Sequence, residues 1–154
     1  MTRATDPKKA DIVVLLVDDD EDDRFLVSRA LEQSPHKVHI LEAENGQKGL
    51  DVVSDGVKPG GIMPHLIILD LNMPVMDGFT FLKHRRQSDV LSEIPVIVLT
   101  TSDEAEVLNE ARALGANAAL TKEASEAASH TLSQMIIDYW MSGGIDWDFF
   151  KPKG

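Results

Sequence analysis

Residues 12–24 read IVVLLVDDDEDDR, an apolar run followed by six consecutive acidic residues and an arginine. Six apolar residues without alternation are typical of a β-strand that is covered on both faces, as in a parallel sheet. Two carboxylates about 4 Å apart repel by roughly 4 kcal/mol at an effective dielectric constant near 20. The acidic run therefore needs a cation, a helix N-terminus or full solvation to offset the repulsion.

Four further runs share this strand-like composition and alternate with segments of helical period. We predict strands at 12–17, 38–41, 66–69, 95–100 and 117–121. Asn45-Gly46 is expected to open the second helix, and Gly115 to end the fourth in a left-handed cap. A fifth helix is predicted from the apolar stripe that runs from Leu132 to Trp140. Five alternations of strand and helix predict a three-layer α/β sandwich with right-handed crossovers.

The composition excludes several classes of function. The 154 residues fit one domain, and the formal net charge of −11 disfavours binding to nucleic acid or to an anionic membrane surface. The absence of Cys excludes disulfides, zinc–thiolate sites and thiol nucleophiles. Segment 1–10 is polar and no stretch approaches 18 apolar residues, so we expect neither a signal peptide nor a membrane span, and a cytoplasmic location.

Polar side chains follow four of the predicted strands. Open parallel sheets bind ligands beyond the carboxyl ends of their strands, and the polar residues at those ends are Asp18, Asp19, Asp70, Thr100 and Lys122. Clustered carboxylates without His or Cys suit a hard cation such as Mg²⁺. A carboxylate beside such a cation is able to attack phosphorus and form an aspartyl phosphate. An acidic rim that binds only water, with Lys122 in a surface salt bridge, is the alternative.

Local patterns give further expectations. Residues 20–23 are expected in the first turn of helix one, solvated and complementing the helix dipole. The pairs Thr101/Glu104 and Asp103/Glu106 have the spacing of capping boxes for helix four. Three aromatic residues are expected in or near the core: Phe25, Phe79 and Phe81.

Four segments together resemble the receiver domain of two-component response regulators: VDDD (17–20), LDLNMPVMDG (69–78), PVIVLTTS (95–102) and GANAALTK (115–122). The resemblance covers nearly the whole chain. It implies a flavodoxin-like (βα)5 sandwich with a parallel sheet of order 2-1-3-4-5. It also implies a protein that accepts a phosphoryl group from a histidine kinase or phosphotransfer protein and signals by protein–protein contact, without being an enzyme.

The resemblance assigns roles to the residues at the strand ends. Asp70 matches the phosphoacceptor, Thr100 the switch hydroxyl and Lys122 the phosphate-binding lysine. The implied Mg²⁺ ligands are Asp18 (through water), Asp19, Asp70 and the backbone carbonyl of Asn72. Gly78 is expected to supply a backbone conformation that other residues resist.

Three features resemble regulators that are paired with bacterial phytochromes. They are the acidic stretch DDDEDDR (18–24), the extended loop before HLIILDLN (65–72) and the segment IDYW (137–140).

Two positions depart from the family. Ala119 stands where the family has Tyr or Phe, and Glu123 stands where it has a proline after a cis bond. A cis bond before a non-proline residue costs about 3–4 kcal/mol, so we expect a trans bond. Both departures predict an altered signal readout.

The chain divides into a loose arm (1–10), a receiver domain (11–142) and an aromatic tail (143–154). The tail is expected to pack on the domain or to support a homodimer, and the alternatives are a different partner protein or disorder. The other candidate surface for a homodimer consists of helix four, strand five and helix five. Two rival functions are open. The first is a Mg²⁺-dependent phosphatase of the haloacid-dehalogenase type, against which DLNMP (70–74) replaces the DxDGT of that class. The second is an adaptor that ignores phosphate, against which the complete site residues argue.

Overall fold

The computed structural model describes residues 6–33 and 36–122, in which strands and helices alternate. The strands are β1 (Ile12–Val17), β2 (Val38–Ala43), β3 (Leu66–Leu69), β4 (Val96–Thr100) and β5 (Ala118–Thr121). The helices are α1 (Glu21–Glu32), α2 (Gly46–Val57), α3 (Gly78–Arg86) and α4 (Ala105–Ala113), with a short 3-10 helix at Leu91–Glu93. The predicted fifth helix, the aromatic tail and Glu123 lie outside the described residues.

The five strands form one parallel sheet in the order β2-β1-β3-β4-β5, which confirms the predicted fold class. In the central register Val17 lies opposite Leu69, and Leu69 lies opposite Val98. The carboxyl ends of β1, β3 and β4 therefore meet at one edge of the sheet. The side chains that follow these strands emerge together at that edge.

Each strand places alternate residues on opposite faces, and both faces are covered. On one face Leu15, Ile67 and Val98 pack with Phe81 of α3 and Leu108 of α4. The opposite face has its own cluster, whose buried members include Ile12, Val14, Leu16, Ile68, Ile97 and Leu31 of α1. All six residues of β1 are buried, so the unbroken apolar run was correctly interpreted as a strand that is covered on both faces.

The helix starts follow from short polar side chains at the N-cap position. Asp20 caps α1 by accepting from the Asp22 amide at 2.9 Å, and Asn45 caps α2 by accepting from the Lys48 amide at 2.9 Å. Gly115 adopts φ +108° immediately after Leu114, the C-cap of α4, as predicted for a left-handed cap.

The predicted capping boxes of α4 are wrong. The helix begins at Ala105, and its N-cap residue, Glu104, makes no side-chain capping bond. Thr101 and Asp103 therefore lie before the position from which a side chain caps the helix. The Ser102 hydroxyl instead accepts from the Glu104 amide at 3.3 Å, which gives the preceding loop a turn of its own.

Phe25 does not lie in or near the core, contrary to the prediction. Its residue surface is 49% exposed, whereas Phe81 is fully buried and Phe79 packs against the core while partly exposed. At 100° per residue, Phe25 is turned about 120° away from Leu31, which faces the sheet. The Arg29 guanidinium lies 5.8 Å from the centre of the Phe25 ring.

None of the helices in the described ranges has the length and hydropathy that a bilayer span needs.

Candidate functional site

Three predicted carboxylates converge at the carboxyl edge of the sheet. Asp18 and Asp19 follow β1, and Asp70 follows the neighbouring β3, where its amide donates to the Val17 carbonyl at 2.8 Å. One carboxylate oxygen from each of these three residues lies within 4.8 Å of the others. The sheet order thus brings together acids that are about fifty positions apart in the chain.

The acids differ in their exposure to solvent. Asp70 is 6% exposed and Asp18 is 9% exposed, whereas Asp19 is exposed. Burial raises the pKa of Asp70 to about 6, the Lys122 charge opposes this, and the Asp18 charge adds to the rise. The Asp70 oxygen Oδ1 accepts from the Leu71 amide at 2.8 Å, which fixes the orientation of the carboxylate. At neutral pH Asp70 is therefore mostly a carboxylate, held in place and partly desolvated.

Lys122 carries a positive charge into this acidic site. It follows β5, and its Nζ lies 2.7 Å from Asp18 Oδ2, 2.7 Å from Asp23 Oδ2 and 3.5 Å from Asp70 Oδ2. Burial alone would lower the pKa of Lys122, but the hydrogen bonds to Asp18 and Asp23 and the charges of Asp70 and Asp18 raise it above its usual value. The ammonium is accordingly charged at neutral pH.

Thr100 ends β4, next to β3, and is fully buried. Its hydroxyl oxygen accepts from the Ser102 amide at 3.3 Å. A hydroxyl also has a proton to donate, so Thr100 keeps a donor for an anion bound at the strand ends. Ala119 of β5 is 2% exposed and lies opposite Val98, so no ring occupies the position at which the family has an aromatic residue.

The loop between β3 and α3 begins at the acceptor candidate. Asn72, whose carbonyl is the fourth predicted metal ligand, is exposed two residues after Asp70. Asp77 caps α3 by accepting from the Thr80 amide at 2.8 Å. Val75, between them, is 84% exposed and has φ 66°, which is unusual for a β-branched residue.

Gly78 is required in this loop for a different reason from the one predicted. Its backbone does not adopt a positive φ, so it supplies no unusual conformation. A Cβ at Gly78 would instead lie 2.4 Å from the Asp70 carbonyl oxygen and 2.8 Å from Leu71 Cα. The absence of a side chain lets α3 begin directly against the end of β3, and this positions the acceptor loop.

Sequence reasoning missed two residues beside the site. Asp23 was expected to be solvated, but its carboxylate binds Lys122, and this expectation is therefore wrong. Arg24 donates from Nη1 to the Asp18 carbonyl and from Nε to Glu42 Oε1 at 3.2 Å. The place of Asp23 in the first turn of α1 indicates only that its side chain points back toward the end of β1, and nothing in the sequence identifies Lys122 as its partner.

The donor chemistry of the site fits a hard divalent cation. Asp18, Asp19 and Asp70 offer oxygen atoms, and His and Cys do not contribute to the cluster. The Lys122 ammonium offsets one of the converging negative charges. A cation at this edge would offset the remaining repulsion, which is what oxygen-rich sites for Mg²⁺ or Mn²⁺ do.

Comparison with known proteins finds relatives over most of the chain. A family model described as "Response regulator receiver domain" matches residues 14–143. The response regulator Rcp1 of Synechocystis sp. is 31% identical over 142 residues, which cover 92% of this chain and 95% of Rcp1. A protein-glutamate methylesterase/protein-glutamine glutaminase of Treponema pallidum is 34% identical over 133 residues, and the match covers 84% of this chain but 31% of that protein.

Two solved structures share the fold over most of the chain. The phosphorylated cyanobacterial phytochrome response regulator RcpA superposes with a TM-score of 0.76 and 27% identity, covering 87% of this chain and 96% of RcpA. The Mn²⁺-bound form of Rcp1 superposes with a TM-score of 0.75 and 30% identity, covering 87% of this chain and 97% of Rcp1.

Proposed function

The chain belongs to the family of response regulator receiver domains, and on that premise we propose that Asp70 accepts a phosphoryl group from a histidine kinase. The observation that carries this proposal is the convergence of Asp18, Asp19 and Asp70 within 4.8 Å, with Lys122 Nζ 3.5 Å from Asp70 Oδ2. Such a site places the attacking carboxylate beside two acids that could hold a divalent cation. The Lys122 ammonium is in position to receive the phosphoryl group.

The transfer is a displacement at phosphorus. An Asp70 carboxylate oxygen attacks, a new P–O bond forms, and the P–N bond to the donor histidine breaks. The leaving imidazole nitrogen keeps the electron pair of that bond and later takes a proton from water. Asp70 has to be ionised to attack, and a pKa of about 6 leaves it mostly ionised at neutral pH.

Four residues would hold a divalent cation in this site: Asp18, Asp19, Asp70 and, through its backbone carbonyl, Asn72. A bound Mg²⁺ would supply the positive charge that allows a carboxylate to approach an anionic phosphoryl group. The protein contributes the geometry: the Leu71 amide orients Asp70, and the Asp20 amide donates to Asp18 Oδ1 at 2.9 Å.

Lys122 and Thr100 would bind the transferred group. The Lys122 ammonium pairs with one phosphoryl oxygen, and the Thr100 hydroxyl donates to another. Because Thr100 Oγ1 already accepts from the Ser102 amide, any shift of the threonine moves the loop 101–103. With Ala119 in place of a ring, this loop and Lys122 carry the signal.

The donor that we propose is a histidine kinase of the phytochrome type. RcpA is described as a cyanobacterial phytochrome response regulator, and it shares 27% identity with this chain. Receiver domains generally signal through contacts with other proteins rather than by turning over a substrate. The family match is to a receiver domain, and none of the proteins named above is a haloacid dehalogenase, so nothing favours the phosphatase alternative.

The proposal is tested by mass spectrometry of the intact protein. Incubation with Mg²⁺ and a small acyl phosphate should add the mass of one phosphoryl group to the wild type and none to Asp70→Asn. Asp22→Asn is the matched control, because Asp22 is an exposed acid outside the carboxylate cluster. Equal labelling of the wild type and Asp70→Asn would place the acceptor elsewhere. Steady hydrolysis of a phosphate ester would favour the phosphatase.

A further inference from the structure

Lys122 shares its ammonium between the predicted metal cluster and an acid outside it. Asp23 Oδ2 lies 2.7 Å from Lys122 Nζ, as close as Asp18 Oδ2 does. Asp23 is not one of the carboxylates that converge within 4.8 Å. We propose that Asp23 is a positioning residue that holds Lys122 before phosphorylation and competes with the phosphoryl group for it. This role rests on the proposed function.

The number of protons on the ammonium creates the competition. A lysine ammonium has three N–H donors, and three carboxylates already surround Lys122 Nζ: Asp18 and Asp23 each accept a hydrogen bond, and Asp70 Oδ2 lies at 3.5 Å. An incoming phosphoryl group adds oxygen acceptors that need the same donors. Binding of Lys122 to that group therefore weakens or breaks at least one of its existing contacts.

Breaking the contact of Lys122 with Asp23 requires less free energy than breaking its contact with Asp18. The Asp18 side chain is 13% exposed, and its Oδ1 also accepts a hydrogen bond from the Asp20 amide. This second hydrogen bond holds Asp18 in place. The Asp23 side chain is 25% exposed and lies in the first turn of α1, where water and the helix N-terminus solvate a released carboxylate. Phosphorylation should therefore break the Lys122–Asp23 pair first.

Two substitutions separate this contact from a general effect of charge. Asp23→Asn removes the charge and weakens the hold on Lys122. Asp22→Asn removes the same charge one residue earlier, from an exposed side chain that does not reach the cluster. Asp23→Glu keeps the charge and should restore competition, because the longer side chain still reaches Lys122.

The test is the affinity for beryllofluoride, an anionic mimic of the phosphoryl group, measured by ¹⁹F NMR at saturating Mg²⁺. Asp23→Asn should tighten binding about two- to fivefold, the scale of one partly exposed ion pair. Asp22→Asn and Asp23→Glu should stay near the wild-type affinity. The affinity for Mg²⁺ alone should not change in Asp23→Asn, whereas a merely structural defect would weaken both ligands.

A double-mutant cycle ties the effect to the lysine. In a Lys122→Ala background, the further change Asp23→Asn should leave beryllofluoride affinity unchanged, because no ammonium is left to compete for. Unchanged or weaker binding in the single Asp23→Asn variant would overturn the role of Asp23 alone, as would an equal gain in Asp22→Asn. A folded wild type that binds no beryllofluoride would instead contradict the proposed function itself.

Discussion

Lys122 Nζ lies 3.5 Å from Asp70 Oδ2, although the two residues follow different strands, β5 and β3, with β4 between them. The long lysine side chain crosses the end of β4 to reach the acid. Burial at the strand ends makes this contact stronger than a surface ion pair. The acceptor candidate thus has a cationic partner in place before any phosphoryl group arrives.

Mg²⁺ should raise the melting temperature of the wild type, because it binds the folded site in which three carboxylates converge. Asp19→Ala should lose most of this gain. Asp20→Ala should lower the baseline stability by about 1 kcal/mol, since Asp20 caps α1, yet it should keep the gain. Differential scanning fluorimetry with and without Mg²⁺ measures both. If Asp19→Ala and Asp20→Ala reduce the Mg²⁺-dependent rise in melting temperature equally, the acidic run binds cations diffusely.

Asp70 should make stability depend on pH when no divalent cation is present. The raised pKa, about 6 in the folded protein against 3.8, means that the acid's stabilising contribution is fully present below about 3.8 and is lost as the pH rises through 6. Asp70→Asn has no such loss. In EDTA its free energy of unfolding should exceed that of the wild type by about 1–3 kcal/mol at pH 8, and the gap should close near pH 4.

Urea denaturation at several pH values measures this difference in the free energy of unfolding. The contributions of groups that titrate alike in both proteins cancel in the difference. A gap that stays constant from pH 4 to pH 8 would show that Asp70 does not carry the effect. Saturating Mg²⁺ should reverse the order of stability, because the wild type then gains more from metal binding than the variant does.

Val75 should be a strained residue in the acceptor loop. Its φ of 66° disfavours a β-branched side chain, and at 84% exposure it gains little from packing. Asn tolerates this conformation, so Val75→Asn should stabilise the fold by about 0.5–1 kcal/mol. Val90 is also exposed but has φ −76°, and Val90→Asn is the matched control that should bring no gain. Equal effects of the two changes on urea denaturation would exclude strain at Val75.

Phosphorylation should produce only a local conformational change. Ala119 has no aromatic ring that could reorient when Thr100 shifts and so transmit the shift to the other side of β5. A ligand moves a conformational equilibrium only by its differential affinity for the two states. Backbone amide shifts with beryllofluoride should change at Asp70, at 100–103 and at Lys122. Large changes spread through α4 and β5 would contradict this weak readout.

Strands β1, β3 and β4 were predictable because their apolar runs are covered on both faces, and so were the acids that follow β1 and β3. The sheet order came from the resemblance, since periodicity does not specify which strands pair. Contacts that cross between elements were not predictable. Asp23 reaches Lys122 from α1, although Lys122 follows β5, and the exposed Phe25 resembles a core residue by type alone.

Arg85 shows the same limit of sequence reasoning. This buried guanidinium donates to the Ile94 and Gly115 carbonyls, at 2.9 Å from the nearest nitrogen in each case, and burial lowers its pKa. It joins α3 to the loops before β4 and β5. Nothing in the local pattern of charges distinguishes it from the exposed Arg86, because the carbonyls that satisfy it belong to distant loops.

The chemical location of the phosphoryl group tests the central claim most directly. Wild-type protein phosphorylated by a small acyl phosphate in Mg²⁺ is reduced with borohydride, which converts an aspartyl phosphate to homoserine, and is then digested and sequenced by mass spectrometry. We predict homoserine at position 70 and unmodified aspartate at positions 18, 19 and 23. Homoserine at position 19, or at any other acid with Asp70 unmodified, would contradict the assignment of Asp70 as the phosphoacceptor.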